Sequence, residues 1–126
     1  MLVYLLIFVG GGIGAASRYV TTNFVNSIFN TSKLTLGTII VNCLGALLVG
    51  FLFNIFDVNN TGIKLRLLLI TGFMGGYTTF SSYSLETVQY FLNGNIKQAL
   101  LNIFFSNILC IVFVFAGMYA NRIIIE

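Results

Sequence analysis

The residues Thr78, Thr79, Phe80, Ser81 and Tyr83 bring hydroxyls and aromatic rings together directly after the glycine-rich run Gly72-Phe73-Met74-Gly75-Gly76-Tyr77. The whole stretch lies inside an apolar run long enough to cross a membrane. Backbone in lipid must satisfy its own hydrogen bonds, so an interrupted helix at that depth has to be buried in protein or line a cavity. Unwound backbone frees carbonyl oxygens, which suit a hard cation such as sodium. Hydroxyl donors and ring edges, which carry the positive part of the aromatic quadrupole, suit a small anion. Such donors replace the anion's water without a full positive charge to trap it, the compromise that conduction requires. A glycine-rich packing kink with rings filling space accounts for the same residues without any ion.

Other polar groups fall within the apolar runs, where each is costly and asks for a role. Thr38 and Asn42 are four apart and share a helix face. The Asn42 amide offers donors to an anion, or an interhelical hydrogen bond to another span, and the two readings stand level. Asn102, Ser106 and Cys110 recur every fourth residue as a weakly polar stripe, with Asn107 beside it. That stripe lines a narrow path or packs against neighbouring helices, and spacing alone slightly favours packing. Glu86 is the one acidic residue well inside a span. It reads as a coupling carboxylate in a proton-coupled exporter, or as the partner of an Asn, Tyr or Arg near a water-filled mouth. Arg18 ends the first span, where it snorkels or caps helix carbonyls.

The elements that must carry these residues follow from composition. Of 126 residues, 58% are hydrophobic and 7% charged, with mean hydropathy +1.00. A soluble domain carries roughly 25% charged residues, so too few are present to clothe a water-facing surface. The fold expected is all-α and polytopic, one four-helix transmembrane unit over residues 1–126 in a cell membrane. A span needs about 20 mostly apolar residues. The candidates run from about Leu2 into the low twenties, from Leu36 to Phe56, from Leu65 to Phe91 with the break inside, and from Ala99 to Ile125. Polar residues Asn23, Asn26, Asn30, Thr31, Ser32 and Lys33, then the loop 57–62, then Asn93-Gly94-Asn95, separate them. Met1-Leu2-Val3-Tyr4 has neither a basic start nor a cleavage site and reads as the beginning of a retained helix.

Composition also excludes functions. Histidine and proline are absent, so there is no imidazole base, no His-based metal site, and any helix break is expected from glycine. No constellation points to an enzyme. The cations are scattered singly, which leaves nucleic-acid binding without support. Cys43 and Cys110 show no paired spacing and read as buried, inert thiols rather than a disulfide or metal site. Lys64, Arg66 and Arg122 fall on one side of the four spans, Arg18, Lys33 and Lys97 on the other. This balance gives no orientation by the positive-inside rule and favours dual insertion with antiparallel dimerisation. Gly10 and Gly14, Gly12 and Ala16, Ala46 and Gly50, and Gly72 and Gly76 are four apart, spacing that lets helices approach closely within one subunit or across a dimer seam.

Three segments, in order, resemble the motifs of the Fluc (CrcB) family of fluoride channels. They are Gly11-Gly12-Ile13-Gly14-Ala15-Ala16-Ser17-Arg18-Tyr19, Gly37-Thr38-Ile39-Ile40-Val41-Asn42 and Gly72-Phe73-Met74-Gly75-Gly76-Tyr77-Thr78-Thr79-Phe80-Ser81. The third is specific, and the resemblance covers nearly the whole chain. It implies a dual-topology homodimer that exports fluoride passively from the cytoplasm through two antiparallel pores. It also implies a structural Na+ at the centre, held by the backbone carbonyls of Gly75 and Thr78. Phe80 would be the first aromatic of the fluoride path and Asn42 its polar partner. Thr38, Thr79, Ser81, Tyr83 and the stripe Asn102, Ser106 and Cys110 would complete it. Where the family pattern has a second Phe, this chain has Tyr83. Asn102 stands where an aromatic is often seen, and Cys110 where a hydroxyl is. The alternatives are a small four-span proton-coupled multidrug exporter, or one subunit of a heterodimeric fluoride channel. The exporter class relies on a carboxylate in the first span, and here that span holds only Arg18 as a charge.

Overall fold

A computed structural model describes residues 1–29, 35–58 and 62–125. The expected linker from Asn30 to Lys33 and residues 59–61 of the 57–62 loop lie outside the described residues, as does the place of Lys33 in the charge balance, while 57 and 58 belong to the last turn of a helix. Every element among the described residues is helical: α1 (Leu2–Ile28), α2 (Thr35–Val58), α3 (Ile63–Arg66), a π-helix (Leu67–Met74), α4 (Gly75–Tyr77), α5 (Phe80–Leu92) and α6 (Ile96–Ile125). Among the described residues, three segments are long and apolar enough to cross a membrane, Leu2–Ile28, Leu36–Phe53 and Ile96–Ile124. Large apolar side chains such as Phe8, Phe24, Phe104 and Phe115 are exposed, while Thr38, Glu86, Asn102 and Asn121 are buried. That inversion of the soluble pattern fits a chain whose solvent is lipid.

α1 runs further than its apolar stretch. Asn23 and Asn26 are helical, and Arg18 sits well inside α1 rather than at its end. No proline is present to stop the helix, and polar side chains at a membrane exit do not. The turn after α5 falls at Asn93-Gly94-Asn95 as expected, with Gly94 at φ 73°.

The largest departure from expectation is the break. The glycines do not make it. Gly72 lies in the π-helix, and Gly75 and Gly76 form the start of α4. The helix stops instead at two threonines, Thr78 (φ −77°, ψ 158°) and Thr79 (φ −148°, ψ 113°). Thr79 then caps α5, its Oγ1 accepting the Ser82 N–H at 3.1 Å.

The glycines serve packing. A Cβ built on Gly10 would stand 2.3 Å from the Leu68 carbonyl oxygen, and one on Gly14 2.1 Å from that of Phe73. A Cβ on Gly76 would stand 2.3 Å from the Gly11 carbonyl oxygen. The backbones of α1 and the π-helix–α4 segment are therefore in direct contact. α2 and α6 do the same, with Gly50 against Val114 and Gly117 against Leu47. Gly12 has nothing within 4 Å of its Cβ position, so the Gly12–Ala16 spacing does not build a contact among the described residues.

Candidate functional site

The break is held from a distance. Asn42, on α2, pairs with both polar groups of Thr79: its Nδ2 donates to the Thr79 carbonyl at 3.0 Å, and its Oδ1 accepts the Thr79 N–H at 2.8 Å. One side-chain amide thus takes the N–H that the break leaves without a helical partner, and adds a bond to the carbonyl that begins α5. Of the two readings open for Asn42, the interhelical bond accounts for these contacts. Its amide keeps a second N–H, and the residue also faces a cavity. The neighbouring carbonyl, that of Thr78, accepts from the Arg18 guanidinium at 3.3 Å. Arg18 caps a carbonyl, as one of its expected roles has it, but across 60 residues rather than at its own helix end.

Around the break lie two cavities. One, of about 350 Å³, is lined by Asn42, Thr79, Phe80, Tyr83, Ser106 and Cys110 among others. The Phe80 and Tyr83 rings stand 5.3 Å apart, tilted by 53°. Thr78 closes the wall so tightly against Gly45 that a Cβ there would stand 2.2 Å from the Thr78 Cγ2. The second cavity, of about 510 Å³, holds Arg18, Asn23, Thr38, Ser82 and Glu86. Thr79 lines both cavities. Its Oγ1 lies 3.2 Å from Ser81 Oγ and donates to Ser82 Oγ at 3.0 Å, so a small hydroxyl cluster marks the divide.

Asn42, Thr79, Phe80, Tyr83, Ser106 and Cys110 therefore meet at one cavity, and Thr78 joins them through its side chain. The other candidates stand elsewhere. Thr38 faces the second cavity, where its hydroxyl donates to Glu86 Oε1 at 2.5 Å. The other carboxylate oxygen of Glu86 is buried with no hydrogen-bond partner. Ser81 is exposed and outside both cavities. Gly75 is exposed, with open space at its Cβ position. Asn102 is only 3% exposed and donates to Thr87 Oγ1 at 2.9 Å, while Thr87 donates to the Tyr83 carbonyl. The α6 stripe is thus divided: Asn102 joins α6 to α5, Ser106 donates to Asn102 Oδ1 at 3.3 Å, and Cys110 reaches the cavity.

Sequence reasoning gave no site role to three residues. Ser82 belongs to the hydroxyl cluster, and Thr87 ties α5 to α6. Asn107 lines the first cavity and donates to the Tyr83 hydroxyl at 3.1 Å. The position of Asn107 next to the stripe was its only signal. Cys43 and Cys110, without paired spacing in the chain, lie close to each other between α2 and α6. Both stay free thiols.

The model of the family described as CrcB-like protein, Camphor Resistance (CrcB), matches residues 5–118. The protein named fluoride-specific ion channel FluC from Hydrogenobaculum sp. (strain Y04AAS1) is 38% identical over 96% of this chain and 98% of its own length. Proteins of the same name from Campylobacter fetus subsp. fetus (strain 82-40) and Parabacteroides distasonis are also 38% identical. The first match covers 90% of this chain and 89% of the relative, the second 99% and 97%. The relatives are ion channels of the membrane, not enzymes. With its long apolar helices and a family match over most of its length, the chain is an integral membrane protein and belongs to the CrcB family.

Proposed function

We propose that this chain is a fluoride-selective channel subunit that lets fluoride leave the cytoplasm passively. The observation that carries the reading is Thr79, which separates two cavities and is held there by Asn42. A small anion drawn into the cavity that holds Arg18 meets the hydroxyls of Thr79 and Ser82, the first of them within hydrogen-bond distance of Ser81. It then passes to Phe80, Tyr83, Ser106 and Cys110. No charged side chain lines this second stretch, so the ion is solvated by hydroxyl, thiol, amide and ring-edge donors without being trapped. The relatives' name supports fluoride as that anion.

The functional unit in this reading is an antiparallel homodimer of four-span subunits with two pores, its fourth span being the interrupted segment from α3 to α5. Phe80 is 75% exposed in the single chain, and Ser81 and Gly75 are exposed beside it. Polar and aromatic groups at that depth call for a second copy to cover them. The even charge balance supports insertion both ways.

The carbonyls of Gly75 and Thr78 would hold a structural Na+. In a continuous helix the Gly75 carbonyl would take the Thr79 N–H, but that N–H goes to Asn42. Gly75 therefore offers a neutral oxygen on an open face, the donor type a hard cation takes. The Thr78 carbonyl gives one lone pair to Arg18 and keeps another. The ion would neutralise facing carbonyl dipoles and fasten two copies together. Exchange of sodium for a large organic cation is expected to lower the melting temperature of the dimer by a few degrees, measured in detergent. An unchanged melting curve counts against the ion.

The test of the function is fluoride efflux, followed with an electrode, from liposomes holding only this chain. Fluoride is expected to leave while chloride stays. Phe80→Ile is expected to cut the flux about tenfold, the size of a lost aromatic interaction, with the dimer intact. Absence of flux from well-folded, sodium-loaded protein overturns the reading. Recovery of an inactive monomer alone favours the heterodimeric arrangement instead. Glu86, with one oxygen unpartnered beside an open cavity, is the observation that keeps the exporter reading in view. Drug resistance on expression, lost in Glu86→Gln, would establish that function.

A further inference from the structure

The side-chain amide of Asn107 makes two contacts, and together they determine the direction of both. Its Nδ2 lies 2.7 Å from the Ile103 carbonyl oxygen and 3.1 Å from the Tyr83 hydroxyl oxygen. A carbonyl only accepts, so the atom facing Ile103 has to be the NH2 end of the amide, whichever way the group is first drawn. The same nitrogen has no lone pair to offer the phenol. The Tyr83 oxygen is therefore the acceptor, and both hydrogens of Asn107 are used. Tyr83 is left with its own O–H proton, which goes to no protein acceptor among the described residues. Its ring lines the 350 Å³ cavity beside Phe80.

We infer that Asn107 is a positioning residue that holds the Tyr83 hydroxyl as an O–H donor to a small, hard anion in this cavity. The inference rests on the reading above that such an anion passes there. An unassisted phenol rotates freely and offers its oxygen lone pairs to the site as readily as its proton. With the acceptor side occupied by Asn107, the anion meets the proton. Polarisation by the Asn107 N–H also makes that proton a better donor, because linked hydrogen bonds strengthen one another. Charge-assisted O–H bonds are short and strong, and they strengthen with the acceptor's charge density. Fluoride, the most compact halide, gains most from the contact, so the pair contributes to discrimination as well as to passage. Tyr83 supplies a ring edge and a hydroxyl where a phenylalanine would supply the edge alone.

The test is a double-mutant cycle read by fluoride efflux and by the fluoride-to-chloride ratio, on liposomes holding the full chain. Tyr83→Phe is expected to lower fluoride flux about tenfold, to lower the fluoride-to-chloride ratio, and to leave dimer size and melting temperature unchanged. Asn107→Ala is expected to give a comparable fall in flux. In the Tyr83→Phe background, Asn107→Ala is expected to add nothing, whereas an Asn107 that merely holds α6 in shape costs the same in either background. Wild-type flux in Tyr83→Phe overturns the inference while the channel function stands. Additive losses overturn the positioning role of Asn107. A wild-type chain that carries no fluoride overturns the channel reading and this inference with it.

Discussion

Asn42→Leu is expected to abolish fluoride efflux and to lower the melting temperature of the detergent-solubilised protein. Leucine has the same branched skeleton as asparagine, with bulkier methyl ends, so the change removes the hydrogen bonds and keeps the shape of the side chain. Asn42 donates to the Thr79 carbonyl and accepts from the Thr79 N–H. The Thr79 N–H is left unpaired, and an unpaired buried polar group costs about 1–3 kcal/mol, while the carbonyl keeps its bond within α5 and loses the second one. The chain has one escape from that cost. The Thr79 N–H can return to the Gly75 carbonyl, rewinding Thr78 and Thr79 into a helix that joins α4 to α5. Rewinding turns Phe80 relative to α4, removes Thr79 from the divide between the cavities and takes the Gly75 oxygen away from any cation. Efflux is lost along either route. Asn42→Asp retains an acceptor for the N–H but not the donor to the carbonyl, and an intermediate loss of stability is expected. Efflux at the wild-type rate in Asn42→Leu, with a normal melting curve, would show that the break stands without this clamp.

The break was only half legible in the sequence. Its neighbourhood stood out because hydroxyls, rings and glycines do not belong in a plain membrane helix, but its cause was misassigned. Glycine weakens a helix in water, where the freed backbone finds other partners. In lipid no such partners exist, so Gly72, Gly75 and Gly76 stay helical and use their missing Cβ for contact with α1. A break needs a substitute partner, and that partner is Asn42, 37 residues away. Local pattern cannot locate it. Periodicity had a similar reach on α6. Asn102, Ser106 and Cys110 do share a stripe, yet the helix has different neighbours two turns apart, so Asn102 meets Thr87 while Cys110 meets the cavity. The C-terminal end of α1 was misplaced, because polar side chains such as Asn23 mark the membrane boundary and not the helix boundary, while its start at Leu2 was read correctly. The long apolar runs, by contrast, appear as α1, α2 and α6, since length and hydropathy are set by the solvent itself.

Gly14→Val is expected to prevent accumulation of folded protein, where Gly12→Val is expected to be close to neutral within the subunit. The two glycines are two residues apart on α1, and only the first touches another backbone. A Cβ on Gly14 would lie 2.1 Å from the Phe73 carbonyl oxygen and 2.9 Å from the Tyr77 backbone nitrogen, while Gly12 has nothing within 4 Å. Main-chain atoms of a helix cannot rotate aside as a side chain does, so α1 must move away from the π-helix and α4. Overpacking ordinarily costs about 1–3 kcal/mol, and separation of two backbones that meet directly takes the cost to the upper end or beyond. Part of the loss is transmitted to the site. Arg18, one turn further along α1, reaches the Thr78 carbonyl at 3.3 Å, and Thr21 accepts from the Tyr77 hydroxyl at 3.3 Å. Displacement of α1 breaks both contacts, leaving the carbonyl end of the break uncapped. Gly14→Ala, which adds a single methyl, is expected to yield less protein with a lowered melting temperature and reduced efflux. Comparison of Gly12 and Gly14 variants by yield, elution profile and melting separates contact within the subunit from contact between copies. A Gly12→Val chain that folds but no longer dimerises would assign the Gly12 face of α1 to the seam, and a Gly14→Val chain of normal stability would show that α1 and α4 do not meet backbone to backbone.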